Sequence, residues 1–384
     1  MRNLLLAALV ACTHAAPAAA PLELVESEPV ETTLPQHGLR EAWQVWPEMI
    51  GHAAAQLDFA EFYASEQAPS RLTPVIEALQ AALRRGVRVR FLADARFAKT
   101  YPEVLEDLAR SGAQVRRLET PFLHAKYFIV DGREAYLGSQ NFDWRSLEHI
   151  QELGVRFGQP DAVRALLDIF ETDWTGAPPE QEHSRYSPAA ARLEHSRHAP
   201  AALRLVASPH GALPDESMWD LPALVELLDS ARKSLRVQLL TWNDDVPELR
   251  DAMVRAAARG VSVQMLLSDW ELRAKTLRAL RDLDPRVEVR ILTIPPAPAG
   301  FIPFARVAHA KYCAVDAARG WVGTGNWERD YFEKSRNVGL LFDGGQIPAQ
   351  LDAFFTSNWN SPYATPFDRA REYAPPRISL GGLQ

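Results

Sequence analysis

The stretch "HAKYFIVD" begins at His124 and "HAKYCAVD" begins at His309, so a histidine and a lysine two residues apart are written twice in one chain. After six residues beyond each aspartate the chain continues as "GSQN" in the first copy and "GTGN" in the second. In an extended strand, residues two apart share a face, so His124 and Lys126 project together, as do His309 and Lys311. A turn such as "DGRE" returns the chain antiparallel. That return brings Ser139 to Asn141 opposite His124, and Thr324 to Asn326 opposite His309. Imidazoles serve as nucleophiles and as general acids. Lys126, Lys311, Asn141 and Asn326, with the hydroxyls of Ser139 and Thr324 as substrate-binding donors, would surround the charged oxygens of a phosphodiester in its transition state.

The motif aspartates do something else. Asp131 lies seven residues beyond His124, roughly 23 Å along an extended strand, which is too far to orient that ring. Asp131 and Asp316 therefore read as structural caps of backbone groups at the turn. The nearest sensible carboxylate for His124 is Glu152, which opens the run "ELGVRF", while the second copy has Asn337 at the equivalent position. Pairing with Glu152 would hold His124 in one tautomer as the nucleophile. An amide neighbour, Asn337, would then leave His309 as the general acid, and Asn337 itself is expected at the substrate. No His, Cys or carboxylate grouping with ligand spacing surrounds these strands, and two lysines repel a divalent ion, so no metal and no cofactor is expected. His195 and His198 fall in a polar segment and read as solvated.

The elements that must position these groups are duplicated as well. "LELVESEP" answers "LRLVASP", "ALRRGVRVRFLAD" answers "AAARGVSVQMLLSD", and "VRALLDIFETDW" answers "LDAFFTSNW". Gly154 and Gly339 are separated as His124 and His309 are, whereas Gly86 and Gly260 are closer, so the copies differ by insertions between. A repeat this long predicts two similar domains and excludes a solenoid of short units. Each copy alternates β-rich runs with Ala/Leu/Arg helices. "VIEALQAALRRG" has helical apolar spacing, with Gly86 where a C-terminal cap belongs. The fold class is therefore α/β, with two mostly parallel or mixed sheets flanked by helices. The expected boundaries are a signal peptide over 1–20, a first domain over 21–180, a polar, proline-bearing linker over 181–200, and a second domain over 201–384.

At 384 residues, 47% of them hydrophobic, the chain can bury two sizeable cores. A net charge of -7 argues against coating duplex DNA through a broad basic face. Residues 1–20 hold one arginine, an apolar run and then small residues, which is the pattern of an export signal. Cleavage near Ala18 to Ala20, or lipidation at Cys12, are its two readings, giving a periplasmic, secreted or lipid-anchored protein. Only Cys12 and Cys313 are present, so a disulfide framework is excluded, and Cys313 reads as a buried small hydrophobe. Trp144, Trp174, Trp327 and Trp359 read as core.

With the motifs in hand, the chain resembles the phospholipase D superfamily over nearly all its length. Within it, "YLGSQNFDWRSL", "QELGV", "IPFARVAHAKY", "GTGNW" and "WNSPY" look like the animal lysosomal branch of 5′-to-3′ exonucleases. The resemblance implies a site at the interface of two pseudo-twofold-related domains, where one histidine becomes phosphorylated and the other protonates the leaving group. It matches Glu152 to the acidic partner of the first histidine. It further implies action on single-stranded DNA or RNA ends, release of nucleoside 3′-monophosphates, and poor use of phosphorylated 5′ ends. Phe62, Tyr63 and Trp242 are candidates to stack a base. Phe301 and Phe304, in a loop before His309 that the first copy lacks, are candidates to shape a pocket for a base or a lipid chain. The alternative is a phospholipase D or transphosphatidylase acting on membrane phospholipid through the same histidines.

Overall fold

The computed structural model describes residues 21–32, 34, 38–177 and 203–374. The expected signal, Cys12, the linker 181–200, His195 and His198 lie outside the described residues.

Two large sheets repeat one strand order. In the first, Leu22–Ser27, Glu152–Phe157, Glu134–Gly138, Lys126–Val130, Gln56–Glu61, Arg88–Asp94 and Gln114–Leu118 lie side by side. The second runs Leu203–Ser208, Ser335–Asp343, Arg319–Gly323, Tyr312–Val315, Ser234–Leu239, Ser262–Ser268 and Val287–Leu292 in the matching order. Both sheets are mixed. The three strands alternating with helices pair parallel, while the hairpin that carries each motif pairs antiparallel with its neighbours. Parallel pairing goes with helical crossovers, and hairpins force antiparallel pairing.

Helical periodicity sets what covers each face. In Thr73–Arg84, Pro74 stands in the first turn, Val75, Leu79 and Ala82 are buried, and Gly86 at φ +86 takes the left-handed position beyond the helix end. That helix packs with Ala42–His52 and Glu103–Arg110 on the outer face of the first sheet. Asp220–Asp229, Pro247–Ala258 and Ala274–Asp282 cover the outer face of the second. Between the sheets, Pro160–Gly176 and Ile347–Asn360 join the inner faces of both halves into one continuous core. Trp174, Trp327 and Trp359 are core residues and Trp144 packs half-buried against the first core.

The aspartates of the two motifs act where the turn needs them. Asp131 accepts the N–H groups of Ala54, Ala55 and Gln56 at 2.9, 2.8 and 2.8 Å. Asp316 accepts those of Arg232, Lys233 and Ser234 at 2.9, 2.7 and 2.8 Å. Each thereby pins its hairpin to the entry of the central strand beside it.

Main-chain hydrogen bonds also cross between the halves. Phe122–Leu123 pairs parallel with Ser335 and Arg336, and the His124 N–H donates to the Arg336 carbonyl at 3.0 Å. Symmetrically, Gln151 bridges to Ala308, and the His309 N–H donates to the Gln151 carbonyl at 2.8 Å. Behind these contacts the anchors differ. Arg336 forks onto Asp173 with two bonds of 2.8 Å in full burial, whereas Gln151 donates to Asn358 at 3.0 Å in an uncharged network with Gln238 and Tyr312.

Candidate active site

Each histidine stands just ahead of its strand, where the chain leaves one half's sheet to pair with the other half. Both line a single cavity of about 400 Å³. The imidazole of His124 meets Asn337 from the second half, with Nδ1 at 3.0 Å from Oδ1. Asn337 Nδ2 donates to the Tyr331 carbonyl at 3.0 Å, so Oδ1 must face the ring as an acceptor. His124 therefore donates from Nδ1, and its Nε2 keeps a lone pair. The imidazole of His309 meets Glu152 from the first half, with Nδ1 at 2.9 Å from Oε2.

This crossing corrects the pairing expected from the sequence, in which Glu152 served His124. Within its own sheet Glu152 opens the third strand, with the hairpin return Glu134–Gly138 between it and the histidine strand. Two strand spacings are roughly 10 Å, beyond hydrogen-bond reach. The inter-half bonds at Gln151 and Arg336 instead carry Glu152 and Asn337 to the opposite histidines.

Ser139, Thr324 and Asn337, expected at the substrate, are buried behind it instead. Ser139 Oγ accepts from the Leu153 N–H at 3.0 Å, and Thr324 Oγ1 accepts from the Val338 N–H at 3.1 Å while donating to Asn337 Oδ1 at 3.1 Å. Ser139 and Thr324 follow the hairpin returns and bond to the third strands, and so support Glu152 and Asn337, while Asn337 itself holds the His124 ring. Ser146, which the sequence did not single out, donates to Glu152 Oε1 at 3.0 Å.

Lys126 Nζ donates to the His124 carbonyl at 2.5 Å and Lys311 Nζ to the His309 carbonyl at 2.6 Å, both from fully buried positions. Each ammonium has two further protons to offer. Burial lowers the Lys126 pKa to about 7 and puts that of Lys311 well below its usual value. Burial, reinforced by the two lysines, likewise holds both imidazoles well below the ordinary histidine value. Burial pushes the Glu152 carboxyl up to about 7. Since Glu152 and His309 touch, they share their protons as one unit. Glu61, buried opposite Lys126 in the strand register, places there a carboxyl whose pKa burial pushes well above the usual value, whereas the second half has Leu239 at the matching position, next to the residue paired with Tyr312.

Asn141 and Asn326 line the cavity, as do Phe62, Tyr63 and Phe304. Phe62 lies 5.1 Å from the His124 ring, and Tyr63 stacks on Tyr101 at 5.1 Å. Trp242 is a correction. It is fully buried in the outer core and bridges to Trp327, in the segment beyond the strand Ser234–Leu239 that packs among the helices of the second half. Phe301 is 53% exposed and stands off the cavity, whereas positive φ at Phe304 and Arg306 swings Phe304 inward against Trp270. Sequence reading missed Phe97, Tyr101, Phe122, Trp270, Glu271, Arg145 and Tyr331, which complete the wall. Only Phe122, two residues before a motif histidine, carried a positional signal.

The family described as "Cardiolipin synthase, PLD-like domain" matches residues 47–174 and 224–359. The chain is 31% identical to "5'-3' exonuclease PLD3" of Homo sapiens over 399 residues, covering 91% of this chain and 81% of that protein. It is 30% identical to "Phospholipase D Z" of Dictyostelium discoideum, covering 90% of each. Among solved structures it is similar to phosphatidylserine synthase of Haemophilus influenzae, with a TM-score of 0.63, 12% identity and 85% of each chain covered, a likeness of fold.

Proposed function

Since the chain belongs to the phospholipase D-like family, we propose that this phosphodiesterase is a metal-independent 5′-to-3′ exonuclease on single-stranded DNA or RNA, working through a phosphohistidine. The observation that carries the nucleic-acid reading is the aromatic wall beside His124. Phe62, Tyr63, Phe97, Tyr101 and Phe122 offer flat faces next to the attacking ring, and base stacking on such faces tolerates any sequence. A cavity of about 400 Å³ suits one small-molecule unit at a time. The name of the Homo sapiens relative supports the direction of cleavage.

The crossed contacts remove the pairing on which the roles were first assigned, and we assign the same roles on a different ground. A nucleophile must be unprotonated. His124, held by an amide through Nδ1 and facing two lysines, has Nε2 free to attack phosphorus. A general acid must carry a proton at rest, and the His309–Glu152 pair stores one. In the first step, Nε2 of His124 bonds to phosphorus, the P–O5′ bond breaks, and the departing oxygen takes the proton from His309. In the second, water gives a proton back to His309 as it attacks phosphorus, the N–P bond breaks, and a nucleoside 3′-monophosphate leaves. Lys126, Lys311, Asn141 and Asn326 stabilise the charge on the non-bridging oxygens. The ammonium groups supply the positive charge that a metal brings elsewhere.

A 5′-hydroxyl oligonucleotide incubated with EDTA should yield 3′-mononucleotides, and His124→Ala should abolish that yield. Cleavage persisting in the variant refutes the mechanism. The name of the Dictyostelium relative favours the second reading, a phospholipase D or transphosphatidylase. Head-group release from phosphatidylcholine vesicles without oligonucleotide cleavage would establish it instead. We further assign the boundaries 21–180 and 201–384 to the two domains, and export to the segment 1–20, which cell fractionation with and without that segment tests.

A further inference from the structure

The two motif lysines are written alike and housed differently. Glu61 stands directly opposite Lys126 in the antiparallel register, and opposed residues of such a pair share one face of the sheet. One step along the matching register of the second half puts Leu239 opposite Lys311. Glu61 and Lys126 are both fully buried, where a carboxyl is costly unless something answers it. The Phe142 backbone bonds the Glu61 carboxyl, yet Oε2 has no hydrogen-bond partner among the described residues. What Glu61 has left to offer is charge.

The surroundings of Lys126 give that charge a use. Its Nζ donates to the His124 carbonyl at 2.5 Å and lies 4.9 Å from the centre of the Phe62 ring. Glu61, from the neighbouring strand, and Glu152, from the strand beyond the hairpin return, both favour the ammonium over the amine. Lys311, His124 and His309 each feel the Lys126 charge as a repulsion. The phenols of Tyr127 and Tyr136, kept neutral by burial, add no charge. Glu152 is already committed, since it bonds His309 and also acts on Lys311. Lys311 has a second carboxyl in Glu271, which reaches it from outside the strands. Without Glu61, Lys126 would be left a share of Glu152 alone, and burial strips the proton from an ammonium so placed.

We propose that Glu61 is a positioning residue for phosphoryl transfer, which keeps Lys126 an ammonium, tied to the His124 carbonyl with protons left over for the phosphate. This rests on the phosphohistidine reading above and not on which diester is cleaved. Burial pushes both groups toward their neutral forms, raising the pKa of Glu61 and lowering that of Lys126 to about 7, while each favours the charge on the other. They therefore titrate as one unit. A neutral amine in place of the ammonium would give the non-bridging oxygens no positive charge.

The test measures kcat/KM, which reports groups of the free enzyme, against pH for the full-length protein on a 5′-hydroxyl oligonucleotide. Glu61→Gln keeps the size of the side chain, and Glu61→Leu copies Leu239 of the second half. In both, Lys126 should lose its proton at lower pH than in the wild type. The ratio of wild type to variant should be small in acid and grow by about tenfold per pH unit. It should level off above about 7, where the wild type loses the same proton. Glu61→Asp, which keeps a carboxylate, should return the profile toward the wild type. A ratio that is flat across pH overturns the proposal, as does a folded Asp variant with the profile of Gln. If Gln and Leu chains fail to fold at every pH, Glu61 serves the fold and not the ammonium, which overturns it too. Cleavage that survives His124→Ala refutes the phosphohistidine reading instead, whatever Glu61 does. Should phosphatidylcholine vesicles be cleaved and the oligonucleotide not, the exonuclease reading falls and the same ratios are read on vesicles.

Discussion

His124 and His309 are followed by the same residues in sequence and have different partners in space, and in the proposed mechanism the partner decides which of them gives a proton. Glu152 has its pKa raised to about 7 by burial, and with His309 it forms a unit that keeps a proton below that pH and loses it above. His124, lowered by burial and by Lys126 and Lys311, stays neutral until the pH falls well under the ordinary histidine value. Turnover should therefore run on an acidic plateau and fall as pH rises through about 7. Glu152→Gln should lower kcat by on the order of a hundredfold or more and move the alkaline limb to lower pH, because His309 alone holds its proton less well. Asn337→Asp should move the acidic limb upward, since a carboxylate at Nδ1 favours the imidazolium of His124. Measured kcat–pH profiles check both. The types and spacing of the two histidines, lysines and asparagines were legible in the chain. Tyr101, Glu271 and Arg145 were not, because nothing in their local pattern separates a cavity wall from an ordinary loop or helix.

The hairpins show what an aspartate and a turn contribute without touching chemistry. Asp131 gathers three N–H groups at the start of the central strand. Asp131→Ala should cost about 1–3 kcal/mol of stability by leaving them unpaired, and kcat of the folded protein should change far less than in the histidine variants. In the second hairpin Ala317 sits at φ +52 where the first has Gly132 at φ +63. A side chain in that left-handed region costs roughly 1–2 kcal/mol. Ala317→Gly should recover about 1 kcal/mol, net of the glycine's greater freedom when unfolded. Urea denaturation of each variant measures these differences. The alternation of β runs and amphipathic helices predicted these elements well, since burial of one face writes itself into the sequence. The side to which Trp242 points was misjudged, because one apolar residue at a strand end fits either face.

Across the whole molecule, the candidate site is assembled by two halves exchanging main-chain and side-chain contacts through a shared core. The Arg336 guanidinium is fully buried on Asp173 and on the carbonyls of Ser208 and Ala212, while its own carbonyl receives the His124 N–H. Removing one member of such a pair strands the other charge in the interior, so Asp173→Ala should cost about 3–5 kcal/mol. Thermal unfolding should show that loss, and activity should fall at temperatures where the variant's halves separate. By itself the sequence determined that the chain is duplicated, that each copy is an α/β unit, and which residues are equipped for phosphoryl transfer. Periodicity and spacing record local geometry, and local geometry is enough for that much. Only the tertiary structure decided that Glu152 serves His309 and that Asn337 serves His124. Docking two similar surfaces fixes distances between residues far apart in the chain, and no spacing along it encodes them.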